Sequence, residues 1–163
     1  MNGNPRRIVV ILIFSLLSII LTACQPAKKE GEIVRVVDGD TVVAMLDGNE
    51  TRLRLAQIDA PESNQPYGKE SRQHLAAMVM GKKVSIIIPP TKNKDRYNRT
   101  MATLFLGNTN INAEQVRQGM AWTYEQYAKD PTLFQFQQEA MDAKRGLWAA
   151  PNPQPPWEFR KQR

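Results

Sequence analysis

A chain of 163 residues has room for one domain with a substantial hydrophobic core and little else. Its formal charge is +6, and the 22 basic side chains fall to 20 when Arg6 and Arg7 near the N-terminus are set aside, against 16 acidic ones, which leaves +4. That modest excess is compatible with a polyanionic partner. The single cysteine, Cys24, excludes an intramolecular disulfide and a cysteine-rich metal site.

The N-terminal segment has the pattern of a bacterial export signal. Its two arginines precede an apolar or small-residue run over 8–21, whose length of about 14 residues suits a signal-peptide core and is short for a membrane-spanning helix. The tetrapeptide LTAC at 21–24 resembles a bacterial lipobox, which implies cleavage before Cys24 and lipidation of its thiol. We therefore predict a protein of the cell envelope, lipid-anchored to a bacterial membrane and facing the periplasm or the exterior. The alternative is an uncleaved signal anchor.

Five short segments then predict β-strands. Residues 24–31 are polar and charged, which predicts a flexible tether, and structure should begin near Glu32. Segments rich in β-branched residues and bounded by turn residues predict strands at 33–37, 41–46, 51–57, 84–88 and 100–106. The dipeptide Asp47-Gly48 predicts the hairpin turn between the second and third strands.

Three segments predict helices. Apolar residues at helical spacing favour the first over 67–80. The second follows Ile111, and Asn112 is predicted to cap its N-terminus. Asp130 followed by proline predicts the start of the third, which Gly146 should end.

Two short acidic clusters carry the chemistry of this chain. The first contains Asp38 and Asp40, and the second, Asp59-Ala60-Pro61-Glu62, follows a strand in which leucines alternate with Arg52 and Arg54. Because proline has no N–H and turns the chain out of the strand, the carboxylates should lie at the rim of a sheet. Oxygen ligands without His or Cys suit a hard cation such as Ca²⁺ or Mg²⁺. The alternative is that both clusters are ordinary turns.

The order and spacing of these clusters, with the pentapeptide Asp95-Arg96-Tyr97-Asn98-Arg99, resemble the micrococcal (staphylococcal) nuclease family, or thermonucleases, over about 32–148. The resemblance implies an α+β, mainly β fold, a five-stranded OB-type β-barrel flanked by three helices. The domain organisation that we predict is 1–23 signal peptide, 24–31 lipidated flexible tether, 32–148 nuclease-like domain and 149–163 a loose, proline-rich basic tail.

The resemblance also implies roles for individual residues. Asp40, Asp59 and the carbonyl of Ala60 match a Ca²⁺ site. The remaining matches are Glu62 as general base and Arg54 and Arg99 as phosphate-clamping arginines.

Four further residues match substrate contacts. Arg96 and Tyr97 lie in the basic loop before Arg99, whereas Tyr124 and Tyr127 align loosely, and core or rim packing is the alternative for those two. Asn98 departs from the glycine usual in the family, which is tolerable because Asn accepts left-handed backbone geometry.

The function implied is Ca²⁺-dependent phosphodiester hydrolysis of DNA and RNA with little sequence specificity, leaving 3′-phosphate ends, by a monomer. One alternative is a catalytically inactive nucleic-acid-binding module of the same fold. The other is a purely structural envelope lipoprotein.

Overall fold

A computed structural model describes residues 26–162, so the predictions for 1–23 and for Cys24 lie outside the described residues. Its strands are β1 (Ala27–Asp38), β2 (Thr41–Leu46), β3 (Asn49–Leu55), β4 (Ile58–Asp59), β5 (Lys83–Ile88), β6 (Thr100–Leu106), β7 (Thr109–Asn110) and β8 (Trp122–Thr123). Its helices are α1 (Gly68–Val79), α2 (Ile111–Arg117), α3 (Pro131–Asp142) and α4 (Pro156–Phe159). Two 3-10 turns, Gly146–Ala149 and Arg160–Gln162, complete the described structure.

Five strands close into a barrel. Antiparallel ladders join β3 to β2, β2 to β1, β1 to β5 and β5 to β6, and the short strand β7 pairs with β6 in antiparallel orientation. A parallel pairing of β3 with β6, from Leu53↔Thr100 to Leu55↔Ala102, closes the cylinder. The prediction of a mainly β, OB-type barrel is therefore confirmed, although four helices accompany it within the described residues instead of three.

The first strand begins earlier than the sequence predicts. β1 starts at Ala27 and continues the ladder with β5 from Ala27↔Ile88 to Glu32↔Lys83. The predicted flexible tether over 24–31 is therefore wrong for its described part. The side chains from Ala27 to Glu30 are exposed, so backbone pairing with β5 holds this end of the strand. For the same reason, no hydrophobic pattern in the sequence predicts that β1 starts here.

The core fills the barrel and the space between it and α1 and α2. Leu53, Leu55 and Leu104 are fully buried inside the barrel wall. Leu75 of α1 and Val116 of α2 are equally buried and join the same cluster. Asp40 lies between β1 and β2, Asp59 ends β4 and Arg99 precedes β6, so all three stand at the ends of strands, at the rim of the barrel.

The second helix is capped by a different asparagine from the predicted one. The Asn110 side chain accepts a hydrogen bond from Ala113 N at 3.2 Å. Asn112 instead is buried, and its Nδ2 donates to Ala56 O at 3.0 Å and Ala102 O at 3.1 Å. This side chain therefore ties the end of β3 to β6, because a buried amide must find partners.

The third helix begins as predicted and ends earlier. Asp130 caps it by accepting a hydrogen bond from Thr132 N at 2.9 Å, with proline in its first turn. The helix ends at Asp142, and Gly146 begins a separate 3-10 turn. In the part of the chain that the structure describes, no helix has both the length and the apolar character needed to cross a membrane.

The segment after Trp148 is ordered, so the prediction of a loose tail is wrong for residues 149–162. Trp157 of α4 stacks on Tyr124 with a ring-centroid distance of 5.2 Å and an interplanar angle of 2°. It also meets the edge of Trp122 at 5.7 Å. Gln65 Nε2 donates to Gln154 O at 2.7 Å. Prolines limit the conformations of the unfolded segment, which lowers the entropy lost when these contacts form.

Candidate active site

The turn between β1 and β2 presents Asp40 at the barrel rim. The Asp38 side chain accepts a hydrogen bond from Asp40 N at 3.0 Å, which fixes the turn from within. Gly39 is required here by close packing, because a Cβ at this position would lie 1.9 Å from Ser71 Oγ and 2.8 Å from the Cβ of Ala60. The backbone of the turn is therefore pressed against α1 and the second acidic cluster.

A buried glutamine holds the same turn from below. Gln115 of α2 is fully buried, and its Nε2 donates to Gly39 O at 2.6 Å. Its Oε1 contacts His74 Nδ1 at 2.5 Å, which gives His74 a packing role in the helix pair. The support that Gln115 gives to the site was not predicted from the sequence. The available signal was a polar residue on the core-facing side of a predicted helix.

Arg54 is the central cation of the site. It lies on β3, is 6% exposed, and donates through Nη1 to Leu55 O at 2.5 Å and Ile58 O at 2.9 Å. Its Nη2 is 2.8 Å from Asp59 Oδ1 and 2.9 Å from Asp40 Oδ2. One buried guanidinium therefore brings together two carboxylates that are 19 positions apart in the sequence.

Backbone pairing positions Asp59 and Ala60. Asp59 ends β4, where it pairs with Trp122 of β8, and its residue is 2% exposed. Ala60 N donates to Asp40 Oδ2 at 2.7 Å, so the second cluster is tied directly to the first.

Two buried carboxylates, those of Asp40 and Asp59, share the guanidinium of Arg54. Burial raises the pKa of Asp40 to about 8; Arg54 lowers it in part, and the neighbouring charges of Asp38 and Asp59 raise it further. A buried carboxyl with a raised pKa gains from any additional positive charge nearby. The oxygen-only set of Asp40, Asp59 and the Ala60 carbonyl therefore fits a hard divalent cation. Within residues 26–162, no three His, Cys, Asp or Glu side chains form a metal-binding group.

Glu62 lies at the open side of this pair. Its backbone N–H donates to Gln65 Oε1 at 3.1 Å, and Gly68 passes so close that a Cβ there would lie 1.9 Å from Glu62 O. The Glu62 side chain is 31% exposed and pairs with Arg160 at 2.7 Å between Oε1 and Nη1. Arg160 was not predicted as a site residue, because it stands in the segment predicted to be loose.

The basic loop carries Arg99 to the same rim. Its Nε donates to Asp95 Oδ2 at 2.6 Å, and its Nη1 reaches Thr41 Oγ1 at 3.3 Å. Although burial disfavours the ionised carboxylate, hydrogen bonds from Arg99 and its charge lower the pKa of Asp95. Because Thr41 Oγ1 donates to Asp40 Oδ1 at 3.1 Å, one hydroxyl separates Arg99 from the carboxylates.

The rest of the loop is exposed and aromatic. Tyr97 is 63% exposed, and the guanidinium groups of Arg96 and Arg99 lie 4.8 and 5.4 Å from its ring centre. Asn98 has φ 60°, the left-handed geometry that the sequence predicts for it.

The two tyrosines that align loosely adjoin residues 153–162, the C-terminal segment. Tyr124 contacts Tyr127 edge-on at 4.8 Å, and Trp157 covers one face of the Tyr124 ring. Tyr127 is 56% exposed. Tyr124 therefore packs against neighbouring rings, while Tyr127 keeps a large accessible surface.

The fold and the site together define a class: an OB-type barrel whose rim joins two buried carboxylates, a third acidic residue and three arginines. Two kinds of comparison identify the family. The family model described as staphylococcal nuclease homologue matches residues 52–150, and the chain belongs to that family.

Several proteins are similar over most of their length. A protein named uncharacterized endonuclease from Haemophilus influenzae is 43% identical over 155 residues, which cover 93% of this chain and 85% of that protein. A protein named micrococcal nuclease from Shigella flexneri is 38% identical, with 88% of each chain covered. An uncharacterized endonuclease from Escherichia coli O157:H7 is 42% identical over 84% of this chain and 88% of its own.

Proposed function

We propose that this protein is a Ca²⁺-dependent nuclease that hydrolyses phosphodiester bonds of DNA and RNA with little sequence specificity and leaves 3′-phosphate ends. The observation that carries the proposal is the convergence of Asp40 and Asp59 on Arg54, with Glu62 and Arg99 at the same rim. Family membership and the nuclease names of its relatives support the reaction class.

Asp40 and Asp59 would hold the cation, with the Ala60 carbonyl as a third oxygen. Bound there, Ca²⁺ supplies Lewis-acid polarisation of a phosphate oxygen and a template for the substrate. Arg54 holds the two carboxylates next to each other, since its Nη2 contacts each of them.

Glu62 is the proton acceptor for the attacking water in this proposal. It is the most accessible of the three carboxylates, with 31% of its side chain exposed, whereas Asp40 and Asp59 are buried. Its loop is fixed by Gln65, so the carboxylate has a defined origin although its tip is accessible. A positioned base of this kind contributes typically 10²–10⁴-fold to a rate.

The two arginines play different parts. Arg54 makes four contacts to groups of the protein itself, so its first task is to organise the carboxylates. Arg99 is anchored through Nε on Asp95, and its Nη1 makes one long contact to Thr41. Its planar fork can therefore engage two nonbridging phosphate oxygens as negative charge develops there.

The contacts expected with nucleic acid are mostly to the backbone. Arg96 and the exposed ring of Tyr97 extend the arginine surface and can stack on any base, as can Tyr127. Phosphate contacts and face-on stacking carry little sequence information, which is the reason to expect weak sequence preference.

The reaction is tested with the purified full-length protein. Plasmid DNA and single-stranded RNA are incubated with Ca²⁺, with Mg²⁺ or with a chelator, and the ends are typed by whether a polymerase extends them before or only after phosphatase treatment. Ca²⁺-dependent degradation that yields blocked 3′ ends is expected. Degradation of neither polymer with any metal would overturn the proposal.

The inactive binding module remains the second candidate, because fold alone does not determine function. Retention of DNA in a mobility-shift assay with zero turnover in Ca²⁺ would favour it. Localisation is a separate proposal: the lipobox-like tetrapeptide over 21–24 supports a protein tethered to a bacterial membrane through Cys24 and facing outward.

A further inference from the structure

We propose that Arg160, delivered by the C-terminal segment, is an internal cation that competes with the metal for Asp59 and at the same time holds Glu62. Metal binding then displaces the Arg160 side chain and releases Glu62 in one step. The inference rests on the proposed function, since it assigns the metal to the Asp40–Asp59 pair.

The Arg160 guanidinium forms a fork on the two acidic residues. Its Nη2 donates to Asp59 Oδ2 at 2.7 Å, and its Nη1 donates to Asp59 Oδ1 at 3.3 Å and Glu62 Oε1 at 2.7 Å. The Asp59 side chain is 2% exposed and that of Arg160 is 30% exposed. Such partly buried, bidentate contacts are stronger than an exposed surface pair.

This arrangement occupies both oxygens of Asp59. Oδ1 receives Arg54 and, more distantly, Arg160, while Oδ2 receives Arg160. A cation ligated by Asp59 must therefore take a position next to an oxygen that a guanidinium now contacts. Two cations repel each other at that distance, so one arginine has to yield.

Arg160 is the arginine that can yield. Arg54 is 6% exposed and is fixed by hydrogen bonds to the backbone carbonyls of Leu55 and Ile58. Among the bonds described for it, the Arg160 guanidinium contacts only the carboxylates of Asp59 and Glu62. Its side chain is 30% exposed, so the guanidinium can move toward solvent.

The segment itself can stay in place while the side chain leaves. It is held by the stack of Trp157 on Tyr124, by the burial of Pro156 and by the hydrogen bond from Gln65 to Gln154 O. None of these contacts includes the Arg160 side chain. The displaced guanidinium therefore remains tethered beside Glu62, and the equilibrium between bound and displaced Arg160 sets the metal affinity.

The test measures Ca²⁺ binding by titration calorimetry on the full-length protein in low salt. Arg160→Gln should lower the Kd for Ca²⁺ by about tenfold, because the competing cation is gone. Lys161→Gln is the matched control: it removes the same charge one residue away from an exposed side chain, and it should change Kd less than about twofold by screening. Arg160→Lys keeps the charge without the fork and should fall between the two.

A second measurement needs only the unaltered protein. Side-chain NMR signals of an ion-paired arginine report restricted guanidinium rotation, and Ca²⁺ titration should convert the Arg160 signals to those of a freely rotating group while the Arg54 signals stay restricted.

An unchanged or weakened Ca²⁺ affinity in folded Arg160→Gln, or an Arg160 that stays restricted in saturating Ca²⁺, would overturn the inference. In that case Ca²⁺-dependent cleavage by the unaltered protein would leave the proposed function standing. Failure of every variant to bind Ca²⁺ would overturn the inference together with the metal assignment.

Discussion

The buried carboxyl of Asp40 should make the metal-free protein less stable as the pH rises. Burial raises the folded-state pKa of Asp40 from 3.8 to about 8. Between these two values the folded chain retains a proton that the unfolded chain releases. The stabilisation is therefore fully present below about pH 4 and is lost as the pH rises through about 8.

The magnitude follows from the same shift. Each unit of pKa difference corresponds to about 1.4 kcal/mol, which is the steepest slope of stability that one group can give per pH unit. Relaxation and water entry reduce the cost of a buried charge in real proteins, so we expect a loss of about 2 kcal/mol between pH 5 and pH 8. Asp40→Asn removes the titration but keeps an oxygen that can accept the hydrogen bond from Ala60 N.

Urea unfolding in the presence of a chelator provides the assay. The free energy of unfolding of Asp40→Asn should exceed that of the unaltered protein at pH 8 by about 2 kcal/mol and approach it at pH 5. Asp47→Asn is the control, since the Asp47 side chain is 76% exposed. Parallel pH profiles for the Asp40 variant and the unaltered protein would refute the reasoning. Ca²⁺ should restore stability at pH 8 to the unaltered protein and not to Asp40→Asn.

Three further predictions concern catalysis and processing. Glu62→Gln should lower kcat, measured by single-turnover cleavage, by roughly a hundredfold or more, while calorimetry should show that Ca²⁺ binding is retained. A loss of Ca²⁺ binding equal to the loss of activity would contradict the role of Glu62 as base. Arg99→Lys keeps the charge but loses the planar fork, so kcat should fall at least tenfold while KM changes less. Lys92→Arg in the same loop serves as the control, and a change confined to KM would show that Arg99 acts in ground-state binding instead. Cys24→Ser should release the protein or leave an unprocessed precursor, which membrane fractionation and N-terminal mass spectrometry would detect. If the unaltered protein has a lipid-free mature N-terminus at another residue, lipidation of Cys24 is rejected.

Local sequence patterns determined much of the barrel. Strands β2 and β6 have the predicted bounds, because β-branched residues and flanking glycine turns are local signals. The same signals missed the start of β1, because its first four side chains are all exposed and show no alternation of buried and exposed residues. The parallel pairing of β3 with β6, which closes the barrel, likewise depends on contacts between distant segments, because it buries both strands around one core.

The sequence by itself also indicated which residues carry the proposed chemistry at the rim. Asp40, Arg54, Asp59, Glu62 and Arg99 stand in short motifs whose order and spacing resemble one family, and the structure brings these side chains to one rim. Their roles stay predictions until the variants above are measured.

Only the tertiary structure decided what surrounds those residues. Gln115 supports the Asp40 turn across 76 positions, and Arg160 reaches Asp59 across 101. Neither contact leaves a local signature, because a hydrogen bond between distant segments depends on how the core packs and not on spacing along the chain. The proline-rich composition of the last residues favours a loose tail when read alone. Tyr124 and Trp122 offer Trp157 an apolar surface, and burying that ring orders the segment and brings Arg160 to the carboxylates.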